Sequence, residues 1–354
     1  MKYDERDIMF ARMTYQSGGL QYEDYYKRHP EKKEIDDTLR NMPNICGEGT
    51  ATYHPINGKM VDSTFEFLSR LHPLCQGDIN GIRLENYDKA EMTERIKGLA
   101  TYYNAKLVGV TEMENNHYYS HRGRHPEDYG QPIDSNEQHP YGIVFAVEMD
   151  QDYIYRAPQL SVSLASTKGY IDGAIVGMII SHFIRSLGYE ARNHMDGNYM
   201  VIAPLVARDA GLGQLGRQGL LLTKEYGSRV RLGVVTTNMP LNTDAPIDFG
   251  ITTFCDECGI CSRTCPGKAI SKEGPQDYDG ILGFKINHEE CYRRWRSIGT
   301  DCGICIANCP FSDHVDPSLI EKMKDDAEIR QKIIQNFKEK YPIRPYLRGN
   351  PDWM

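Results

Sequence analysis

Eight of the ten cysteines of this 354-residue chain fall between positions 255 and 309, and their spacing suits iron–sulfur clusters better than any other thiol chemistry. The first run reads Cys255-x2-Cys258-x2-Cys261-x3-Cys265-Pro266. The second, Cys291-x10-Cys302-x2-Cys305-x3-Cys309-Pro310, has one ligand displaced upstream by a ten-residue insert. In two-cluster iron–sulfur proteins the first three thiolates of such a run hold one cube, and the fourth crosses to the other. That rule assigns Cys255, Cys258, Cys261 and Cys309 to one [4Fe–4S] cluster, and Cys265, Cys291, Cys302 and Cys305 to the second. Successive x2 spacings wrap three thiolates around one cube, while each Cys-Pro ends a short helix after supplying the crossing ligand. Zinc is the main rival, because paired CxxC motifs also make tetrahedral sites. Three cysteines at successive x2 spacings and two Cys-Pro endings are not a zinc-ribbon pattern. Disulfides are not expected, since a chain of this size buries its own core without such staples. Cys46 and Cys75 lie outside both runs and read as buried free thiols.

A glycine motif needs weighing beside the thiols. Gly211-Leu-Gly213-Gln-Leu-Gly216 satisfies GxGxxG. A dinucleotide loop must follow the first strand of a βαβ unit and open a helix, with an acidic residue about 20 positions on. Here the motif follows VARDA, a short helical stretch, and precedes the apolar GLLLT. It reads as a tight turn, or as a close backbone approach to some large planar cofactor other than a nicotinamide. The histidines, His121, His125 and His194 among them, show no ligand spacing and read as surface or core residues.

The elements that must position these groups are legible in outline. Residues 1–85 are polar, rich in Tyr, Gly and Pro, and only weakly periodic, and they read as a wrapping segment with short helices. ENYDKAEMTERIKGLATYY has helical spacing and feeds KLVGVTEM at 106–113, an apolar strand. Further strands are expected at 141–148 and 229–238, and an apolar helix from about Tyr170 to Leu187, stopped by Gly188. Alternating helices and apolar strands imply an α/β sandwich over residues 86–250. PLNTDAPIDFG then reads as the linker to a cluster domain at 251–315. Residues 316–354 carry a charged helix near 317–340 and a tail, RPYLRGNPDWM, that packs back on the surface.

Composition limits the partners. A formal charge of −8 and a sequence pI near 5.8 argue against broad contact with nucleic acid or an anionic membrane. No apolar run reaches the roughly 18 residues of a membrane span. The opening MKYDERDIMFARMTYQSGG has neither an apolar stretch nor a twin-arginine pair, so a cytoplasmic location is expected for the chain as written; the same reading fits an exported form whose signal has been removed. Two clusters alone would make an electron carrier. The roughly 250 residues before them must hold something that receives the electrons.

That receiver is suggested by a resemblance. LVGV at 107–110, FIRSLGY at 183–189, AGLGQLGR at 210–217, EYGSRVRLGVVTTNMPL at 225–241, APIDFGITTFC at 245–255 and both cysteine runs, in this order, resemble the corrinoid-dependent reductive dehalogenases. The tRNA-modifying epoxyqueuosine reductases are their nearest relatives. The resemblance implies a nitroreductase-like, mixed α/β (α+β) fold that holds a corrinoid, joined to a C-terminal bacterial ferredoxin-like domain carrying two [4Fe–4S] clusters. Breaking a carbon–halogen bond reductively needs a low-potential two-electron centre, which a Co(I) corrinoid supplies and no side chain does. The chain has no DxHxxG motif for a histidine ligand to cobalt, in keeping with the base-off cobalamin of that family.

The resemblance also implies site residues. Tyr170, 13 residues before Phe183, stands where the family has its proton donor, at the start of the helix that ends in FIR. Arg231, 24 residues before Cys255, stands where a cation stabilises the phenolate. Asn198 in MDGNYMV is the candidate amide beside them; its spacing departs by about two residues, which leaves Asp196 and Asn193 as alternatives. Gly211, Gly213, Gln214 and Arg217 are expected at the cofactor. Trp295, Tyr118 and Tyr119 are expected to line the substrate pocket, the bland reading of Trp295 being ferredoxin-domain core. The implied partners are a small organohalide and a separate low-potential donor such as a ferredoxin or flavodoxin, since no fused flavin module is present; a homodimer is compatible with this picture. The alternative enzyme, an epoxyqueuosine reductase, places an aspartate before an Ala-Pro pair, where this chain has Val201-Ile202 before Ala203-Pro204. A non-catalytic electron-transfer or corrinoid-carrying protein would need neither Tyr170 nor Arg231.

Overall fold

The computed structural model describes residues 2–134, 136–278 and 280–354. Its centre is a four-stranded antiparallel sheet. In chain order the strands are β1 (Leu107–Glu112), β2 (Tyr141–Glu148), β3 (Ala191–His194) and, after a small hairpin of β4 (Gln214–Leu215) and β5 (Leu221–Leu222), β6 (Val230–Thr237). The spatial order is β1-β2-β6-β3. β2 reads YGIVFAVE, with almost every residue buried, because both faces of the sheet are covered. Ile143 and Phe145 face a core with Ile96 and Ala100 of the helix Lys89–Tyr102 and with Val176, Ile180 and Ile184 of the helix Ser161–Ser186. Val144 and Ala146, one residue out of phase, face Val206, Ala207 and Leu212 on the other side. The mixed α/β architecture expected from the alternating pattern is the one observed.

The long helix begins nine residues earlier than its apolar pattern predicts, at Ser161. Its first two turns, SVSLASTKG, carry small and hydroxylated residues rather than an apolar stripe, and Ser161, Ser163, Ser166 and Thr167 are buried. Periodicity misses such a segment because its burial is against polar partners. Tyr170 therefore lies inside the helix and not at its start. The far end is as expected: Gly188 follows with φ +84°, and a Cβ there would meet the Ile82 carbonyl oxygen at 2.7 Å.

The C-terminal portion wraps short helices around the thiols: Ile251–Cys258, Ile260–Thr264, His288–Ile298 and Ile304–Ala307, with a hairpin of β7 (Gln276–Tyr278) and β8 (Ile281–Gly283). Phe254 and Phe311 of this region share a core with Ile320, Ile333, Ile334 and Phe337. The charged helix expected near 317–340 is two helices, Pro317–Met323 and Ala327–Lys340. Asp326 breaks it by capping the second, accepting from Glu328 N–H at 2.9 Å.

The N-terminal residues form short helices, among them Leu20–Arg28, Lys33–Arg40 and Asn57–Arg70. They attach to the cluster region through backbone and charge. Cys46 N–H donates to the Gly299 carbonyl at 2.8 Å, and Arg12 joins Asp36 at 2.6 Å and Glu289 at 2.9 Å. The tail returns to the body: Leu347 N–H donates to Tyr155 O at 2.9 Å, and Asn57 donates to Met354 O at 2.9 Å. Among the described residues no helix is long and apolar enough to cross a membrane.

Candidate active site

All ten cysteines are free thiols, and Cys46 and Cys75, outside both runs in sequence, are buried. The other eight sit in two electrostatic neighbourhoods. Burial pushes the Cys309 thiol well up, and the nearby Cys255, Cys261 and Cys258 push it further. Burial lifts Cys291 to about 12, with Cys302 and Cys265 adding to it. Cys305, raised by burial, feels Cys261 from the first set as well as Cys302, Cys291 and Cys265 from the second. Backbone turns deliver these sulfurs. Gly259 (φ +52°) separates the two helices of the first run, and Gly303 (φ +64°) opens the helix that carries Cys305. Cys265 leaves its helix in extended backbone before Pro266, and Cys309 does the same before Pro310. The donor set fits two iron–sulfur cubes: eight soft ligands in two groups of four, with Ala269 N–H donating to Cys265 Sγ at 3.3 Å.

The second thiol set adjoins a polar cavity. Arg231 lies on β6 with its guanidinium carbon 4.6 Å from the centre of the Tyr170 ring. Its Nη2 donates to Ser166 Oγ at 2.6 Å and to Asp301 Oδ2 at 3.3 Å. Ser166, Gly169 and Tyr170 share one face of the long helix at spacings of three and four. Gly169 is required there, because a Cβ would stand 2.5 Å from Arg231 Cγ. Asp301 immediately precedes Cys302, and its own N–H donates to the Ser163 hydroxyl oxygen at 3.0 Å. One carboxylate thus spans the step from the second thiol set to the arginine beside Tyr170.

The electrostatics of this cavity are balanced locally. For Tyr170, Arg231 pulls the phenol pKa down while burial pushes it up, and the net position is above 10. The phenol keeps its proton at neutral pH beside a cation that eases its release. Arg231 is held charged: burial lowers its pKa, but Tyr170 and Asp301 raise it further. Burial pushes Asp196 up against the opposing pull of Arg124 and Arg231. These groups lie deep in the fold, yet Arg231 and Asp301 keep 24% and 20% of their side-chain surface accessible. Depth combined with accessibility marks the walls of an internal cavity. The buried Arg231 Nε has no partner among the described residues, a donor available to something placed in that space.

The remaining expected residues divide. Asn198 does not face Tyr170: its Oδ1 accepts from Arg192 at 2.6 Å, and its amide donates to the His72 carbonyl at 3.3 Å. Asp196, the alternative two residues earlier, is the group in the field of Tyr170 and Arg231. It sits in a turn after β3 held by His72 on its own carbonyl at 2.8 Å and by His125 on the Gly197 carbonyl at 2.7 Å. Asn193, the other alternative, donates to Ala174 O at 3.3 Å against the long helix. Tyr118 is core, its hydroxyl donating to His139 O at 3.1 Å. Tyr119 stands beside Tyr199, ring centres 6.1 Å apart, and Tyr199 feels Tyr170. Trp295 packs on Phe10 and Tyr292, joining the cluster region to the N-terminal segment.

The glycine motif serves the hairpin. Gly211 adopts φ +77° with the Ala245 carbonyl 2.5 Å from where its Cβ would be, and Gly213 abuts the Leu222 carbonyl at 2.1 Å by the same measure. Gln214 Oε1 accepts from Phe249 N–H at 2.9 Å, and Arg217 donates to the carbonyls of Cys255, Ser271 and Glu273. The side chains of Gln214 and Arg217 thus fix the linker and the first cluster loop. Sequence reasoning missed Ser166, Asp301, Arg124 and Tyr199. Only Asp301 carried a usable signal, its place one residue before a ligand cysteine.

Comparison with known proteins places the chain. Residues 254–312 match the family described as 4Fe-4S dicluster domain. A tetrachloroethene reductive dehalogenase of Sulfurospirillum multivorans is 33% identical over 258 residues, covering 64% of this chain and 51% of that protein. An epoxyqueuosine reductase of Lactococcus garvieae is 32% identical over 129 residues, 35% of this chain and 36% of its own length. A solved reductive dehalogenase, whose structure is described as suggesting a mechanism for B12-dependent dehalogenation, superposes with a TM-score of 0.76 at 24% identity over 96% of this chain and 46% of that one. The chain spans about half the length of the dehalogenases it matches.

Proposed function

From its kinship with the reductive dehalogenases, we propose that this chain is an oxidoreductase that removes halide from an organohalide, with a corrinoid at the reacting centre and two [4Fe–4S] clusters supplying electrons. The observation that carries this reading is the pairing of Tyr170 with Arg231 at 4.6 Å in an internal cavity, one residue's reach, through Asp301, from Cys302. A bound Co(I) corrinoid supplies the low-potential electron pair that cleaves a carbon–halogen bond. The cavity walls fit such a group by their depth, their remaining accessible surface and the free Arg231 Nε.

The chain's own residues then manage charge and protons. Tyr170 Oη gives its proton to the carbon that loses halide. The guanidinium of Arg231, fixed by Ser166 and Asp301, stabilises the phenolate left behind. Asp301 keeps Arg231 from turning away and screens part of its charge, so the phenol is not ionised before it is needed. Reprotonation from solvent restores Tyr170. A separate low-potential carrier, such as a ferredoxin or flavodoxin, reduces the clusters.

The epoxyqueuosine reductase reading lacks its acid at the expected place. Ile202 is the cap of the helix Ala203–Asp209, which Pro204 opens, and no carboxylate precedes that pair. The test is anaerobic reconstitution with cobalamin and iron–sulfide, followed by halide release from a panel of aryl and alkyl halides. Halide release that falls at least 100-fold in Tyr170→Phe is the expected result. Failure to retain a corrinoid, or unimpaired turnover in that variant, removes the proposal.

A further inference from the structure

The two thiol sets are covered differently. Over the second lie the N-terminal segment, whose Cys46 and Thr52 N–H groups donate to the Gly299 and Ile298 carbonyls at 2.8 and 2.9 Å, and the start of the long helix, where Ser163 meets Asp301. The first set comes close to the surface on its outer side. Arg263 is exposed, yet its Nη2 donates to the Cys258 carbonyl at 2.6 Å. The Gly259 turn permits this approach, since a Cβ there would stand 2.8 Å from Arg263 Nη1. Beside it runs the helix Ala327–Lys340, whose Ile334 and Phe337 share a core with Cys258 and Cys309. Lys338 follows Phe337 and is exposed.

The charge of this face opposes that of the chain. The whole sequence carries −8, but the two acids that directly precede Cys258 are already occupied. Asp256 pairs with Arg217 at 2.9 Å, and Glu257 pairs with Arg330 at 2.8 Å while accepting from Gln331 at 3.0 Å. Glu339 lies about 100° round the helix from Lys338 and accepts from Gln335 at 2.9 Å. Arg263 and Lys338 form no ion pair among the described residues. Burial pushes the Cys258 thiol up, and the side-chain charges that pull it back are Arg263, Lys338 and Arg217. Two exposed cations from separate helices thus converge on one thiol.

Surface lysines and arginines are common, and these two are set apart by where they stand. They flank the thiol set that lies beyond the other from the Tyr170 cavity, which is where electrons destined for that cavity enter. We propose that the face made by Arg263 and Lys338 is the docking surface for a small acidic electron-carrier protein, which hands its electron to the first cluster. Opposite charge on the two faces speeds their encounter and fixes their register. Each encounter oxidises the carrier by one electron and reduces the first cluster by one, and the second cluster passes that electron on. The assignment rests on the proposed reading of the clusters as an electron path, but it needs neither a corrinoid nor a halide.

The experiment is anaerobic rapid mixing of the oxidised, cluster- and corrinoid-loaded protein with a reduced plant-type [2Fe–2S] ferredoxin as the acidic carrier, and with reduced methyl viologen as a small cationic control. Donor oxidation is followed without substrate, ferredoxin by its EPR signal after rapid freezing and viologen by the absorbance of its radical. The wild-type rate constant with ferredoxin should fall roughly tenfold or more as salt rises from about 20 mM to about 500 mM. Lys338→Glu, whose side chain makes no hydrogen bond among the described residues, should lower the low-salt rate by about threefold to tenfold and flatten the salt dependence. Arg263→Gln should act in the same direction, and Lys338→Arg should keep the wild-type rate. Iron content and Tm should be unchanged, and none of the three variants should slow the viologen reaction. A wild-type rate indifferent to salt, or no reduction by ferredoxin where viologen succeeds, overturns the inference without any variant. So does a Lys338→Glu protein with the wild-type rate and slope, or one slowed equally with both donors, because the charge would then act on the cluster and not on docking. Halide release is measured separately. Charge-steered reduction without halide release from any substrate would sink the dehalogenase reading and leave the docking face.

Discussion

The two halves of the candidate site treat charge in opposite ways. Around Tyr170, Arg231 has Asp301 and Ser166, and the phenol has Arg231, so the cavity is held in place by the protein's own partners. Around the clusters, seven of the eight sulfurs sit in surroundings that disfavour their charged form; burial first, with neighbouring thiols adding to it, lifts Cys255 and Cys261 to about 12. Thiolates in that setting need a cation, and coordinated iron provides it. The half proposed to handle protons is preorganised by side chains. The half that handles electrons is built to be completed by its cofactor, and its folding energy is tied to metal binding.

The largest effect should come from breaking the second half. Cys305→Ala removes a ligand of the second set that also lies in the field of Cys261 from the first, and iron content is expected to fall from about eight to about four or fewer per chain. Thermal stability should fall with it, since Arg12, Arg296 and the strand of backbone at 46–52 fasten the N-terminal segment to the helix His288–Ile298. A variant with full iron content and an unchanged Tm would show that the two halves do not differ in this way. Chelation of iron from the wild type should give the same loss.

Next come the proton-handling residues, where activity changes and the fold does not. Tyr170→Phe keeps the ring under Arg231 and removes only the transferable proton. Halide release should drop by roughly 10² to 10⁴ with iron and corrinoid content unchanged. In the wild type the phenol pKa lies above 10, so the protonated, active form persists through neutral pH and activity should decline only on the alkaline side. Asp301→Asn frees Arg231 from its counter-charge. The phenol pKa should then move down, and the alkaline limb of the pH–rate profile should shift toward lower pH, with a loss in kcat of about tenfold. A profile that stays in place would mean that Asp301 acts through the cluster loop instead.

How far this was legible in the sequence follows from the same contrast. The thiols declare themselves because a cube imposes fixed ligand spacing within a few residues. The cavity is assembled from the long helix, β6, the turn after β3 and the loop before Cys302, and no local rule links those segments. Tyr170 and Arg231 were reachable only through the resemblance of the flanking motifs. Asn198 was placed by the same route, but the turn at Asp196–Gly197 directs the earlier residue inward and ties Asn198 to Arg192. The start of the long helix was misplaced because its serines bury against Arg231 and the cluster loop, where hydrogen bonds rather than apolar periodicity record the burial. GxGxxG shows the converse: a motif legible in sequence whose glycines answer to steric contact with the Ala245 and Leu222 carbonyls.

The smallest effect tests whether preorganisation extends behind the cavity. His117 accepts Glu114 N–H at Nδ1, so its Nε2 donates to Asp209 at 2.7 Å, joining the segment that carries Tyr118 and Tyr119 to the helix Ala203–Asp209. Burial pushes the Asp209 carboxyl up, but the bonds from His117 and Arg208 outweigh it and bring it down to about 2. A carboxyl depressed in the folded state contributes stability that is fully present above its unfolded value near 4 and is lost as pH falls toward about 2. With Asp209 19% exposed, the contribution is on the order of 2 kcal/mol after allowance for solvent screening. Urea melts should therefore find Asp209→Asn less stable than the wild type by about that amount at pH 7. The gap should narrow below pH 4 and close near pH 2. A gap that persists undiminished at pH 2 would assign the loss to packing and not to the charged bond, and the cavity's support would then be steric like that of the hairpin beside it.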